Sequence, residues 1–204
     1  MITGLGYSWR KGRGTLLLIA SIALAYIIEL AWGAPGNIAV LLKLGALPDS
    51  GGLHGQYWRL LTFGFLHFDL VHILENTTCL FLGGTIVEYR VGSVATISLF
   101  AIGSVLSGAA IMLKHVVIPD VGVSVGASGG MFATLGGAAV LLQRVPAANP
   151  SVRPLLWLVI AIAFAISFLP NSSMVGHITG FSVGISVGFA VRIVASNLHL
   201  ASSA

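Results

Sequence analysis

Six apolar segments, each close to the length of a membrane-spanning helix, dominate this chain of 204 residues. A helix needs about 20 mostly apolar residues to cross the hydrocarbon core of a bilayer. Charged residues make up only 8% of the chain, against roughly 25% in soluble domains. The segments are approximately 14–32, 66–87, 93–113, 125–143, 154–169 and 175–194. The sequence therefore predicts an all-α membrane protein, with residues 1–204 forming one domain of six transmembrane helices.

Basic residues indicate how this bundle is oriented. If the chain starts in the cytoplasm with Arg10, Lys11 and Arg13, seven of its 10 Lys and Arg residues fall on the inner side. This is the distribution of the positive-inside rule. We therefore expect both termini in the cytoplasm, with short tails of about residues 1–13 and 195–204. The first segment is longer than the usual core of a cleaved signal peptide, so it is expected to remain as a helix.

Composition also limits the partners of the chain. The net charge of +4 comes from residues at segment ends, where topology explains it, so no nucleic-acid partner is expected. Cys79 is the only cysteine, which rules out a disulfide within the chain. The expected partner is the lipid bilayer, and the oligomeric state stays open.

Four polar residues share one depth in the predicted bundle. Ser128, His177, His72 and Asn76 each lie near the start of a segment that runs from outside to inside. Each is within one to three helical turns of the outer surface, roughly 5–15 Å. His72 and Asn76 are four residues apart and share a helix face. Because polar side chains at lipid depth are costly, this coincidence indicates a functional site.

Small residues explain how two of these side chains could meet. Gly180, Gly184 and Gly188 follow His177 along one face of the sixth segment, and Ser128 is flanked by glycine and alanine. Such faces let membrane helices pack closely. A serine could then reach the histidine at hydrogen-bond distance, about 2.6–3.2 Å.

This combination favours nucleophilic catalysis. Ser128 is the candidate nucleophile and His177 the candidate general base. His72, Asn76 and the Ser128 amide are candidate donors to an oxyanion. No acid is obvious as a third member, which suggests a Ser–His dyad that needs neither cofactor nor metal. A zinc site is disfavoured because no HExxH pattern occurs and His67, His72 and Glu75 lack regular ligand spacing.

A purely structural role stays open for each residue taken alone. The glycines and Ser128 could serve helix packing only, and a single intramembrane histidine could bond a backbone carbonyl. The His72–Asn76 pair could join helices without catalysis. A small transporter is a further alternative, although the polar residues cluster at one depth and no repeat relates the two halves.

These residues resemble the rhomboid family of intramembrane serine proteases, over about residues 58–192. Three motifs carry the resemblance, and two shorter matches accompany them. The serine motif GxSGxxxA is matched by Gly126, Ser128, Gly129 and Ala133, and the motif HxxxxHxxxN by His67, His72 and Asn76. The motif AHxxGxxxG is matched by His177, Gly180 and Gly184, with Gly176 in place of the alanine. The two shorter matches are the pair Trp58–Arg59 and the pair of Glu88 with Arg90.

The resemblance implies a role for each residue. Ser128 would be the nucleophile and His177 the base, with His72 and Asn76 lining the oxyanion hole and Gly126 shaping the adjacent turn. Phe132, four residues after the serine, would pack on the catalytic histidine.

Other family positions would be structural. His67 lies five residues before His72 and is therefore expected to point away from it and to brace a loop. The remaining structural positions are Trp58, Arg59, Glu88, Gly180 and Gly184.

The resemblance also implies a function and a location. The expected activity is endopeptidase cleavage of single-span membrane proteins, in a prokaryotic inner membrane. The alternative is a non-proteolytic relative that binds transmembrane helices for quality control, although such relatives tend to lose the serine or histidine. Glu75 departs from the family pattern, because an apolar residue is expected there.

Overall fold

The computed structural model describes residues 13–118, 122–142, 151–169 and 172–201. The expected tail residues 1–12 and 202–204, including Arg10 and Lys11, lie outside this part of the chain. Arg144, one of the seven basic residues expected on the inner side, also lies outside it. The helices are α1 (Arg13–Ala31), α2 (Ile38–Leu44), α3 (Arg59–Thr62), α4 (Leu70–Val91), α5 (Ser93–Val117), α6 (Ser128–Leu141), α7 (Val152–Ile166) and α8 (Met174–Ala201). Two short strands, β1 (Leu47–Pro48) and β2 (Val123–Ser124), pair antiparallel.

The described fold is helical apart from this one strand pair, and its helices are those of a membrane protein. Helices α1, α4, α5 and α8 are long and apolar enough to cross a bilayer. Helices α6 and α7 are apolar but shorter, with 14 and 15 residues. Large apolar side chains such as Leu24 of α1 and Trp157 of α7 are exposed, as expected for surfaces that face lipid.

Helix α6 is the centre of the bundle. Every residue from Gly129 to Leu141 is buried, and α4, α5 and α8 pack around the helix. The packing against α8 is backbone against backbone: a Cβ added to Gly184 would overlap the carbonyl oxygen of Ala133 and lie 2.7 Å from the Gly137 amide nitrogen. Gly180 stands in the same relation to Gly129 one turn earlier. Small residues therefore let the first turns of α6 and α8 lie side by side.

Helix α4 begins later than the sequence predicts. The apolar segment from residue 66 was expected to be helical, but Leu66 is extended and the helix starts at Leu70. The side chain of Asp69 accepts a hydrogen bond of 2.9 Å from the His72 amide and so caps the helix. A 3-10 turn, Phe63–Phe65, precedes the extended residues. His67 therefore lies before α4 rather than within it.

The segment between α1 and α4 is folded rather than an open loop. Asn37 caps α2, and Gly45 ends it with a φ of 115°, a conformation that favours glycine. Arg59 donates hydrogen bonds of 2.7 Å to the carbonyl oxygens of Leu42 and Ala46. Strand β1 then pairs with β2, just before α6. The segment between α1 and α4 is thus fastened directly to the backbone that leads into α6.

At the opposite end of α4, Glu88 joins three helices. Its buried carboxylate accepts hydrogen bonds from the amides of Gly14 and Thr15, at 2.6 and 3.0 Å, and from the Thr15 and Ser93 hydroxyls. The first amides of α1 have no partner within their own helix. A carboxylate placed there satisfies two of them and interacts favourably with the helix dipole.

Candidate functional site

Ser128 is the first residue of α6, and a glycine turn places it there. Gly126 has a φ of 134°, which suits glycine and strains other residues. Its amide donates a 3.0 Å hydrogen bond to the Phe63 carbonyl. The turn leaves the Ser128 side chain half-buried, at a helix end whose first amides are free to donate.

His177 lies in the first turn of α8, and its imidazole reaches the serine. The distance between His177 Nε2 and Ser128 Oγ is 2.9 Å. The Phe132 ring stacks on the imidazole, with centroids 4.6 Å apart and planes inclined by 24°. Phe132 lies one turn after Ser128 on α6, so the helix that carries the hydroxyl also supports the imidazole. A hydroxyl in contact with an unprotonated imidazole nitrogen can transfer its proton as it attacks a carbonyl carbon.

His72 and Asn76 approach the same point from α4. A Cβ on Gly126 would lie 2.8 Å from His72 Nε2, so this ring lies directly against the turn before Ser128. Asn76 is buried, and its Nδ2 finds no hydrogen-bond acceptor among the described residues. A buried amide donor without a partner is costly. Both residues lie on the wall of the cavity that Ser128 also lines.

His67 does not point away from His72, so that expectation was wrong. The two rings make an edge contact with centroids 4.9 Å apart. The helical spacing on which the expectation rested does not apply, because His67 precedes α4. His67 is fully buried, and its Nε2 lies 3.4 Å from the Ala127 amide nitrogen, which donates to it. It lies between the start of α4 and the turn that carries Ser128.

Together these groups face a cavity of about 1120 Å³. The cavity lies between α4, α7 and the loops near Ser128, and its lining includes Ser128, His177, His72, Asn76 and Phe132. Both α4 and α7 also contribute apolar residues to its wall. Charged and titratable groups on the wall are Asp49, Asp69, Glu75, Lys114 and His115. Polar and apolar residues therefore line this cavity together.

The remaining predicted motif residues lie elsewhere. Gly180 and Gly184 are in the α6–α8 contact, and Glu88 is at the far end of α4. Arg59 fastens α2, and its guanidinium lies 4.8 Å from the Trp58 ring centre. Burial lowers the pKa of Arg59, although a guanidinium stays protonated in proteins. None of these five residues lines the cavity.

Two buried side chains at the site were missed from the sequence. Ser167, just after α7, places its Oγ 2.6 Å from His177 Nδ1. Glu29, near the end of α1, accepts hydrogen bonds of 3.0 and 3.2 Å from the His67 amide. An acidic residue inside an apolar segment itself indicates a functional role, and this rule could have identified Glu29. No comparable signal distinguishes Ser167 from other serines in membrane helices.

Known proteins are similar to parts of this chain in sequence. The model of the Rhomboid domain matches residues 54–193. Rhomboid protease GluP of Bacillus subtilis is 31% identical over 170 residues, which are 79% of this chain and 32% of that protein. Rhomboid protease GlpG of Enterobacter sp. is 35% identical over 99 residues, 48% of this chain and 34% of that protein. RHOMBOID-like protein 1 of Arabidopsis thaliana is 34% identical over 142 residues, 68% of this chain and 36% of that protein.

The chain spans about a third of the length of these relatives. The family match itself covers well over half of the chain and includes α4, α5, α6 and α7 in full. It also contains every residue assigned to the site from the sequence. The expected family is confirmed: this integral membrane protein belongs to the rhomboid family.

Proposed function

We propose that the protein is an intramembrane serine endopeptidase in which Ser128 is the nucleophile and His177 the general base. The observation that carries this proposal is the 2.9 Å contact between Ser128 Oγ and His177 Nε2, on the wall of a cavity that polar and apolar residues line together. Two of the relatives are named as rhomboid proteases. No cofactor or metal is required by this chemistry.

The reaction follows from the positions of the donors and acceptors. Ser128 Oγ attacks the carbonyl carbon of the scissile peptide while its proton passes to His177 Nε2. The carbonyl oxygen becomes an oxyanion, which Asn76 Nδ2, the His72 ring and the Ser128 amide stabilise. His177 then protonates the leaving amine. Water, deprotonated by the same imidazole, hydrolyses the acyl-enzyme and restores Ser128.

The short α6 explains how water reaches a site within the membrane. Its 14 residues span about 21 Å, against roughly 30 Å of hydrocarbon. A serine at its outer end is therefore recessed below the membrane surface. Irregular backbone at that depth is tolerated where it lines a water-filled cavity, and residues 122–125 line the cavity just before Ser128.

The substrate class follows from the cavity wall. Cavity-lining apolar residues of α4 and α7, such as Leu74 and Ile162, suit a hydrophobic segment entering between these helices. We therefore propose single-span membrane proteins as substrates, cut in or near the transmembrane helix. The scissile bond must be in extended chain, because a closed helix does not present its carbonyl groups to a nucleophile.

The proposal includes a topology. All of α1, α4, α5, α6, α7 and α8 would cross or enter the membrane, giving six segments in one domain over residues 1–204. Both termini would be cytoplasmic, in a prokaryotic inner membrane, because the basic residues favour the inner side. The dyad then faces the outer side.

Reconstitution tests this function against the non-proteolytic alternative. Purified protein in lipid vesicles should cut a single-span protein with a glycine-containing transmembrane helix into two fragments. Ser124→Ala is a matched control, because Ser124 lines the same cavity but bonds Asp49, and it should cut normally. Binding of the helix without any fragments, across a panel of such substrates, would instead support the quality-control protein.

Glu75 is expected to be tolerated rather than required. It lines the cavity one turn from His72, and an anion there opposes a developing oxyanion. Water in the cavity screens that charge, so Glu75→Gln should keep turnover within about tenfold of wild type. Turnover of the single-span substrate measures this, and complete loss of activity would refute it.

A further inference from the structure

We propose that Ser167 is a positioning residue that holds the neutral His177 ring in the tautomer with the proton on Nδ1. Nε2, which faces Ser128, is then the nitrogen with a free lone pair. The inference rests on the proposed function, since it assigns a role within the same dyad. It supplies a third member where the sequence offered no acid.

The position of Ser167 makes this contact specific. It follows the last residue of α7, Ile166, and its side chain is 3% exposed. Its Oγ lies 2.6 Å from His177 Nδ1 and 2.8 Å from the carbonyl oxygen of Ala163. The imidazole is therefore bonded on both sides, to Ser167 through Nδ1 and to Ser128 through Nε2.

Counting protons at Ser167 decides the direction of its bonds. A hydroxyl has one proton to donate, whereas a backbone carbonyl can only accept. The 2.8 Å contact with Ala163 therefore uses the Ser167 proton. The Ser167 oxygen is left as an acceptor, so the 2.6 Å contact requires a proton on His177 Nδ1. The reverse arrangement would set two oxygen lone pairs against each other at 2.8 Å.

This assignment determines the protonation of the other ring nitrogen. A neutral imidazole carries one proton, and with that proton on Nδ1 the lone pair of Nε2 is free to accept the Ser128 hydroxyl. Stacking on Phe132 fixes the plane of the ring but not which nitrogen is protonated. Ser167 supplies that second constraint, as the orienting member of a catalytic triad does. Because Ser167 is neutral, it orients the ring without the charge of a carboxylate.

The effect of removing Ser167 should be moderate and confined to the chemical step. Ser167→Ala should lower kcat about fivefold, which is the rate equivalent of losing one hydrogen bond of about 1 kcal/mol to a neutral group. KM should change less than about twofold, because the substrate does not depend on the tautomer for binding. Ser167→Thr keeps the hydroxyl and should recover most of kcat. Ser186→Ala is the matched control: it removes an equivalent hydroxyl-to-carbonyl bond at an exposed site of α8 and should leave kcat unchanged.

NMR reads the tautomer directly and does not depend on any Ser167 variant. Protein with isotope-labelled histidine nitrogens, in detergent micelles, should show His177 protonated on Nδ1 and unprotonated on Nε2. The His177→Gln spectrum assigns these signals. In Ser167→Ala the two tautomers should be mixed.

Three results would overturn the inference. The first is a wild-type His177 with its proton on Nε2. The second is a Ser167→Ala protein with kcat within twofold of wild type. The third is a loss of stability and a changed KM in both Ser167 variants with no change of tautomer, which would indicate that Ser167 serves packing alone. The proposed function would fail separately, through a Ser128→Ala protein that still cleaves its substrate.

Discussion

Ser128→Ala and His177→Ala should each reduce turnover of a single-span membrane substrate by at least about a thousandfold. Without the Ser128 hydroxyl there is no nucleophile, and without His177 no base lies within hydrogen-bond distance of Oγ among the described residues. The two losses should not add, because the residues act in one proton transfer. The double variant should therefore be no less active than either single variant. The measurement is the rate of fragment formation by purified protein in lipid vesicles.

Folding must be kept separate from catalysis in this experiment. Ser128→Ala removes one half-buried oxygen, so its thermal unfolding midpoint should stay within a few degrees of wild type. Ser124→Ala, at another serine of the same cavity, should keep full turnover. Undiminished proteolysis by Ser128→Ala would exclude Ser128 as the nucleophile.

Gly184→Val should cause the largest structural loss. The added side chain would overlap the Ala133 carbonyl and force α8 away from α6. Overpacking a core typically costs about 1–3 kcal/mol, occasionally more, and both helices here meet through rigid backbone. We expect the unfolding midpoint to fall by about 10 °C. Turnover should fall more than tenfold, since the separated helices carry Ser128 and His177.

The control adds the same side chain where there is room. Ser186→Val is two residues further along α8, at an exposed position, and should change neither stability nor turnover appreciably. Thermal unfolding in detergent and vesicle turnover measure the pair of variants. A Gly184→Val protein with the stability and activity of Ser186→Val would show that the close α6–α8 contact is unnecessary.

The sequence predicted the family and the main helices because their signals are local. Apolar length identified α1, α5 and α8 to within a few residues, except at the C-terminal end of α8, because each is a continuous hydrophobic run. Ser128 and His177 could be assigned to one site because segment order and helical rise give depth. The glycines at 180 and 184 indicated which helices pack closely.

The sequence could not predict contacts that depend on the path of irregular backbone. The apolar residues from Leu66 onwards suggested helix, but Asp69 caps α4 and leaves His67 outside it. The wrong orientation assigned to His67 follows from that boundary. Ser167 follows α7 and His177 lies on α8, so their contact depends on how these two helices are placed relative to each other. The periodic pattern of apolar residues in the sequence does not indicate such a contact.

Mapping the residue that a fluorophosphonate modifies would test the Ser128–His177 pair most directly. The reagent phosphonylates a serine oxygen that a neighbouring base has activated, so mass spectrometry of the digested protein identifies the nucleophile without knowledge of the substrate. We expect one adduct, on Ser128, that is absent in His177→Ala. An adduct on a different residue, or unchanged labelling of Ser128 without His177, would contradict the proposed dyad.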